Sequence, residues 1–134
     1  MIGLDTNVLV RYLTGDDPKQ SPQARRFVDE MLDEGEMLFV CHIVLCELVW
    51  VLSYAYDYSR DEIVSALQQL RRAAQLTVER PDEVRRALDA YAARKGDLAD
   101  FLIAERSIAS GCASIATFER DLQKDQRFRA PSKF

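Results

Sequence analysis

Histidine is all but missing from this chain of 134 residues, which has only His42. That excludes a metal-independent ribonuclease built on a pair of histidines as acid and base. There is no Gly-x-Ser-x-Gly elbow for a hydrolase triad, and the five glycines are too scattered to cradle a phosphate. No apolar run approaches the ~18 residues that a membrane span needs. Met1 leads directly into a strand-like segment, not a charged leader, so a cytoplasmic protein with no membrane contact is expected. Three cysteines, an odd number, argue for reduced thiols over a disulfide framework. Cys41, His42, Cys46 and Cys112 do not follow zinc-ligand spacings, and two of the thiols lie in an apolar run where buried cysteines are common. A basic excess is also lacking: 18 Lys and Arg face 22 Asp and Glu, a net charge of −4. Nucleic-acid binders are usually basic, yet a cluster of carboxylates would explain the acidity, and bound divalent cations would reverse its local sign.

What the chain does have is the balance of one globular domain, 48% hydrophobic and 30% charged. A single domain over 1–134 is expected. Residues 1–4 read as a short buried strand and 6–14 as a helix that Gly15 can end. Ser21 followed by Pro22 looks like an N-cap and first helical residue. Ala24, Phe27, Val28, Met31 and Leu32 then form an apolar stripe that closes at Gly35. Met37 to Cys41 is strand-like. From Ile43 to Tyr56 the chain is apolar almost all round, with Glu47 as its only charge; such a helix is buried by its own fold or by a partner. Ser59 to Glu62 spells a capping box, opening a helix with Ile63, Ala66, Leu67, Leu70 and Ala74 inward. Leu76 to Val78 is a brief strand. Pro81 starts a helix with Val84, Ala87, Leu88 and Tyr91 inside, Asp97 to Asp100 opens another, Ala113 to Ala116 reads as a buried strand, and a last strand falls near Arg129. Alternation of strands and helices predicts an α/β fold, a parallel sheet of four to five short strands with helices on both faces.

Ligands of open parallel sheets sit beyond the carboxyl ends of the strands. Asp5 ends the first strand, and Glu47 lies in the early turns after the second. Asp97 and Asp100 share a helix start, and Glu119 lies just past the strand at 113–116, with Asp121 two residues on. Gathered carboxylates repel unless cations neutralise them, and an oxygen-only donor set suits Mg²⁺ or Mn²⁺, one or two ions. Structural alternatives stand beside each reading: Asp5 as a helix cap, Asp97 as an N-cap with Asp100 as its capping-box partner, Glu119 and Asp121 as surface-turn residues, His42 as a structural strand end.

Asp5-Thr6-Asn7, Cys46-Glu47-Leu48, Asp97-Leu-Ala-Asp100-Phe-Leu-Ile-Ala104 and Thr117-Phe-Glu119-Arg-Asp-Leu122, in this order, resemble the motifs of the PIN-domain family, in particular its VapC-type toxins. The resemblance covers the whole chain. It implies a metal-dependent endoribonuclease acting on tRNA or rRNA, with Asp5, Glu47 and Asp100 as the acidic core and Asp97 as an acidic neighbour. It also implies a homodimer and a VapB-like antitoxin, for which Trp50, Val51, Tyr54 and Tyr56 are candidate surfaces. The chain departs from the family where Glu119 replaces the usual aspartate of the last motif, which leaves Asp121 as an alternative ligand. Arg11, Lys95, Arg120, Lys124, Arg127 and Arg129 are candidate RNA contacts or plain solvated charges. The alternative function is a PIN-fold binding module without cleavage; a DNA- or flap-cleaving nuclease is a third reading.

Overall fold

The computed structural model describes all residues 1–134. The chain divides into two compact units, Met1–Pro81 and Asp82–Phe134. No helix is long and apolar enough to cross a membrane.

The first unit holds β1 (Ile2–Gly3), α1 (Thr6–Thr14), α2 (Gln20–Asp33), β2 (Leu38–Val40), α3 (His42–Tyr54), α4 (Arg60–Arg72) and β3 (Leu76–Val78). Its strands form a parallel sheet in the order β1-β2-β3, with Ile2 opposite Leu38 and Val40 opposite Val78. Leu38 and Val40 of the middle strand are almost wholly buried, as a short strand covered on both faces requires. Leu9, Leu45, Leu48, Leu52, Ile63 and Leu67 complete this core, each at or below 2% exposure. The expected buried strand at 1–4 is instead an edge strand: Ile2 and Gly3 are exposed and only Leu4 turns inward.

Helix ends explain most of the boundaries. Gly15 closes α1 at φ 64°, in the left-handed region where a glycine carries no Cβ penalty. The expected N-cap at Ser21 is displaced: α2 begins at Gln20, and Asp17 Oδ1 accepts from the backbone N–H of Lys19 (2.9 Å) and of Gln20 (2.6 Å). Ser21 is buried, and its Oγ accepts from the Asp17 N–H. Ser21 therefore lies inside the helix, and the ionised Asp17, a strong acceptor, holds the N–H groups ahead of it. The capping box at Ser59 forms as read, with Ser59 Oγ accepting from Glu62 N–H (3.1 Å) and Glu62 Oε1 from Ser59 N–H (3.0 Å). α4 stops at Arg72, which leaves Ala74 outside it and exposed.

The second unit holds α5 (Pro81–Ala93, whose first residue closes the first unit), α6 (Leu98–Ala109), β4 (Ile115–Ala116) and β5 (Phe128–Arg129). The two strands pair in parallel, Ile115 with Phe128 and Ala116 with Arg129. The five parallel strands therefore stand in two ladders of three and two. β4 is shorter than read and only half-buried to exposed. Val84, Ala87, Leu88 and Tyr91 of α5 are buried, as their spacing predicts. Phe101, fully enclosed on α6, stabilises this unit by roughly 1.5–3 kcal/mol relative to an exposed ring.

A buried ion network crosses this unit. Glu105 accepts from Arg86 Nε at Oε2 and from Arg127 Nη1 at Oε1, both at 2.9 Å. Arg127 also grips Asp125, with Nη2 to Oδ2 at 2.7 Å, and Arg106 pairs with Glu83 at 2.8 and 3.0 Å. Glu83, Glu105 and Asp125 are each at most 9% exposed, so losing one partner would leave a poorly solvated charge. Exposed pairs such as Lys124 with Asp121 contribute little by comparison.

Two measurements test these assignments. Ser59→Ala should lower the unfolding free energy by about 1 kcal/mol in urea titration, because the Glu62 N–H loses its acceptor. The second concerns Asp125, whose carboxyl is held below its usual 3.8, first by the side-chain hydrogen bonds from Arg127. A lowered folded value means the carboxylate stabilises the fold above the unfolded pKa, and that contribution fades as pH falls through the lowered one. Asp125→Asn should therefore cost about 1–2 kcal/mol near neutral pH. Its deficit against the parent should shrink in urea titrations stepped below pH 3.8.

Candidate active site

Asp5 occupies the N-cap position of α1 in extended backbone (φ −78°, ψ 155°), yet its side chain does not cap the helix. It is exposed. An aspartate at that position normally spends its carboxylate on the free N–H groups of the first turn; this one is left pointing to other work. Thr6, next in the chain, is buried at 5% exposure, and its Oγ1 donates to Glu47 Oε2 at 3.3 Å across 41 positions. Thr6 thus joins the end of β1 to α3.

Glu47 sits on the outer side of α3. Ile43, Trp50 and Tyr54 share that side at 70%, 42% and 85% exposure, spaced i, i+4, i+7 and i+11 with Glu47 among them. The opposite face, Val44, Leu45, Leu48, Val49 and Leu52, is buried. The apolar helix is therefore half covered. Of its proposed contact residues, Trp50 and Tyr54 are exposed, while Val51 and Tyr56 are half-buried. Tyr56 Oη accepts from Arg11 Nη1.

In the second unit, Asp97 is the N-cap of α6 and Asp100 its capping-box partner. Asp100 Oδ2 accepts from the Asp97 N–H at 2.9 Å, and both residues are half-buried. The structural alternative for these two acids is realised, and it uses one Asp100 oxygen. Gly96 just before them stands at φ 136°, where a Cβ would come within 2.9 Å of Phe101 Cζ and of Leu122 Cδ2. The start of α6 is therefore packed tightly, which fixes where Asp97 and Asp100 stand. Glu119 lies exposed in the turn after β4, its N–H donating to Thr117 Oγ1 at 3.1 Å. Asp121, the alternative acid, is engaged by Lys124 Nζ at 3.3 Å.

Nowhere do three carboxylate, imidazole or thiolate groups gather around one point. The chemistry of these carboxylates nevertheless fits a hard cation. Mg²⁺ keeps several waters and takes one or two carboxylates directly, and exposed carboxylate oxygens such as those of Asp5 and Glu47 are donors of that kind.

The remaining candidates separate cleanly. His42 is buried, its N–H donates to Glu79 Oε1, and its Nε2 hydrogen-bonds the Glu79 carbonyl, both at 2.8 Å; it is a structural residue. Cys41, Cys46 and Cys112 form no disulfide. Arg127 is consumed by Asp125 and Glu105, while Arg11 pairs with Asp16 at 3.7 Å and is tied in place by Gln20 and Tyr56. Thr6 was not singled out from the sequence. Its signal was a threonine wedged between Asp5 and an apolar helix, on the side that faces inward. Glu105 was also legible: it continues the stripe Leu98, Phe101, Leu102 at i+7.

Comparison with known proteins adds to this geometry. The family model described as PIN domain matches residues 2–127. A protein of Aquifex aeolicus (strain VF5) named VapC ribonuclease is 30% identical over 121 residues, covering 90% of this chain and 89% of that protein. A match over nearly the full length, together with parallel strands set between six helices, leads to one conclusion: the chain belongs to the PIN-domain family.

Proposed function

We propose that this chain is a metal-dependent endoribonuclease, the toxin of a toxin–antitoxin pair. The observation that carries the proposal is Asp5, an aspartate at a helix start that forgoes capping, beside a threonine that orients Glu47. The similar VapC ribonuclease supports the same activity. Mg²⁺ or Mn²⁺, one ion or two, would be held by Asp5, Glu47, Asp97, Asp100 and Glu119.

A divalent ion bound there would activate a water as nucleophile and neutralise charge on the phosphodiester. The chain's own residues prepare for that. Asp5 and Glu47 present exposed carboxylates. Thr6 donates to one Glu47 oxygen and limits the rotamers of a flexible side chain. Asp97 and Asp100 are set by the helix that they cap, which makes their placement as firm as the backbone of α6. No side-chain nucleophile is needed, and the family resemblance suggests cleavage that leaves a 5′-phosphate and a 3′-hydroxyl.

A VapB-like antitoxin and a second copy of the chain are the partners proposed for the exposed side of α3. A single PIN domain spanning both units, working in the cytoplasm on tRNA or rRNA, completes the reading. The second reading is a PIN-fold binding module without cleavage; what favours it is that no three ligand groups gather at one point and that Asp100 is committed to a cap.

Incubation of the purified chain with total RNA decides between them. Cleavage should require Mg²⁺ or Mn²⁺, stop with a chelator, and fall on the order of a hundredfold or more in Asp5→Asn and Glu47→Gln. Cleavage that persists in the chelator and in Asp5→Asn would rule out the metal mechanism. No cleavage by folded protein that still binds Mn²⁺ in titration calorimetry would favour the binding module. Thr6→Val should lower kcat by roughly three- to tenfold with little change in KM, because Glu47 loses its orienting donor.

A further inference from the structure

We propose that the surface at the end of the β4–β5 ladder, formed by Phe118, Arg120, Arg129 and Phe134, is a stacking platform for unpaired RNA bases. This rests on the ribonuclease reading and extends it to how substrate is held. Phe118 is 86% exposed, more than any other large apolar side chain, and Phe134 is 66% exposed. A phenylalanine in water forgoes the burial that ordinarily places it, so its position needs a cause.

The turn supplies one. Thr117 Oγ1 accepts from Glu119 N–H (3.1 Å), the Thr117 carbonyl accepts from Gln123 Nε2 (3.3 Å), and the Glu119 carbonyl accepts from Gln123 N–H (3.3 Å). On the other side, Thr117 N–H donates to the Arg129 carbonyl at 2.9 Å. Phe118 is thus bracketed by residues whose backbone is tied down, and its ring stands in solvent. Arg129 is itself exposed, and its guanidinium lies over the Phe134 ring, 5.7 Å from the centroid, a cation–π arrangement. One run of bonds therefore links Phe118, Thr117, Arg129 and Phe134.

Charge distinguishes a nucleic acid from a protein as the occupant. Residues 113–134 carry five Lys and Arg against three Asp and Glu, in a chain whose net charge is −4. Of these, Arg120, Lys124, Arg129 and Lys133 are exposed, Lys124 beside Asp121, whereas Arg127 is neutralised by Asp125 and Glu105. The exposed neighbours of the two rings in sequence, Glu119, Arg120, Asp121, Ser132 and Lys133, are polar or charged, not the aliphatic side chains that a protein interface would bury. Isolated rings interleaved with cations are the pattern that stacks bases and tracks a phosphate backbone without reading sequence. Glu119 lies next to Phe118 in the same turn, so a base stacked there brings its phosphate close to the last acid of the proposed site.

The test uses the full chain in an Asp5→Asn background, with a fluorescein-labelled single-stranded RNA of about 10 nucleotides and the same sequence as a duplex. Phe118→Ala should weaken single-strand binding by roughly five- to a hundredfold at constant salt, leave duplex binding unchanged, and retain the parent's circular dichroism. Phe118→Trp should restore binding. With Trp50→Phe, which removes the chain's one native tryptophan, the introduced indole should be quenched saturably by the single strand. Unchanged binding in Phe118→Ala, or an unquenched indole at saturating RNA, overturns the platform. So does a change in sedimentation of Phe118→Ala with RNA affinity intact, which would assign the ring to self-association. If the chain carrying Asp5 cleaves RNA and Phe118→Ala does not raise KM, the platform falls and the nuclease stands. A chain that neither binds nor cuts any RNA overturns both.

Discussion

The alignment of strand ends in the first sheet is the constraint on which the site depends. β1 and β2 are in register from Ile2 with Leu38, and each runs directly into a helix whose N-cap is the next residue or two, Asp5 for α1 and Cys41 for α3. Because side chains alternate along a strand, a slip of one residue would send Leu38 and Val40 outward and is opposed by their full burial. The two helices therefore have to start side by side. That juxtaposition is what lets Thr6 reach Glu47 over 41 positions of sequence. The hydrogen bond is weak by itself; the sheet register that permits it is not.

The second unit is held differently. Its strands are only two residues long, too short to carry much stability by pairing. Stability comes from the aliphatic and aromatic face of α6 and from the charges around Glu105 and Asp125. Such a network is costly to bury and more costly to break, and it fixes the direction of the chain from Asp125 to Arg129 against α6. The turn bearing Glu119 and the ladder end bearing Arg129 inherit their positions from it.

Much of this was written in the sequence, for reasons that can be named. The bounds of α1, β3 and α5 follow from signals that act locally: glycine past a helix end, a proline at its start, an apolar run between turns. The capping boxes at Ser59 and Asp97 are local too. What escaped depends on distant partners. Ser21 looks like a cap until Asp17 is seen to hold an earlier start of the helix. Ile2 and Gly3 read as core by composition, but exposure is set by whether a neighbour covers an edge, which no window of sequence states. Glu47 looked buried among apolar residues; its helix turns it to the outer side with Ile43, Trp50 and Tyr54. Arg127 resembled a free cation because its two acids, one of them 22 positions away, are invisible to spacing.

The capping box at α6 has a consequence for how this chain can change over generations. One oxygen of Asp100 begins a helix by accepting the Asp97 N–H, and the same side chain is among the proposed ion ligands. Every replacement at this position is therefore judged twice, once by whether the chain folds and once by what it can bind. Alanine fails both tests together. Asparagine keeps the acceptor and discards the charge, so it is the narrow path by which such a protein can fall silent while keeping its shape.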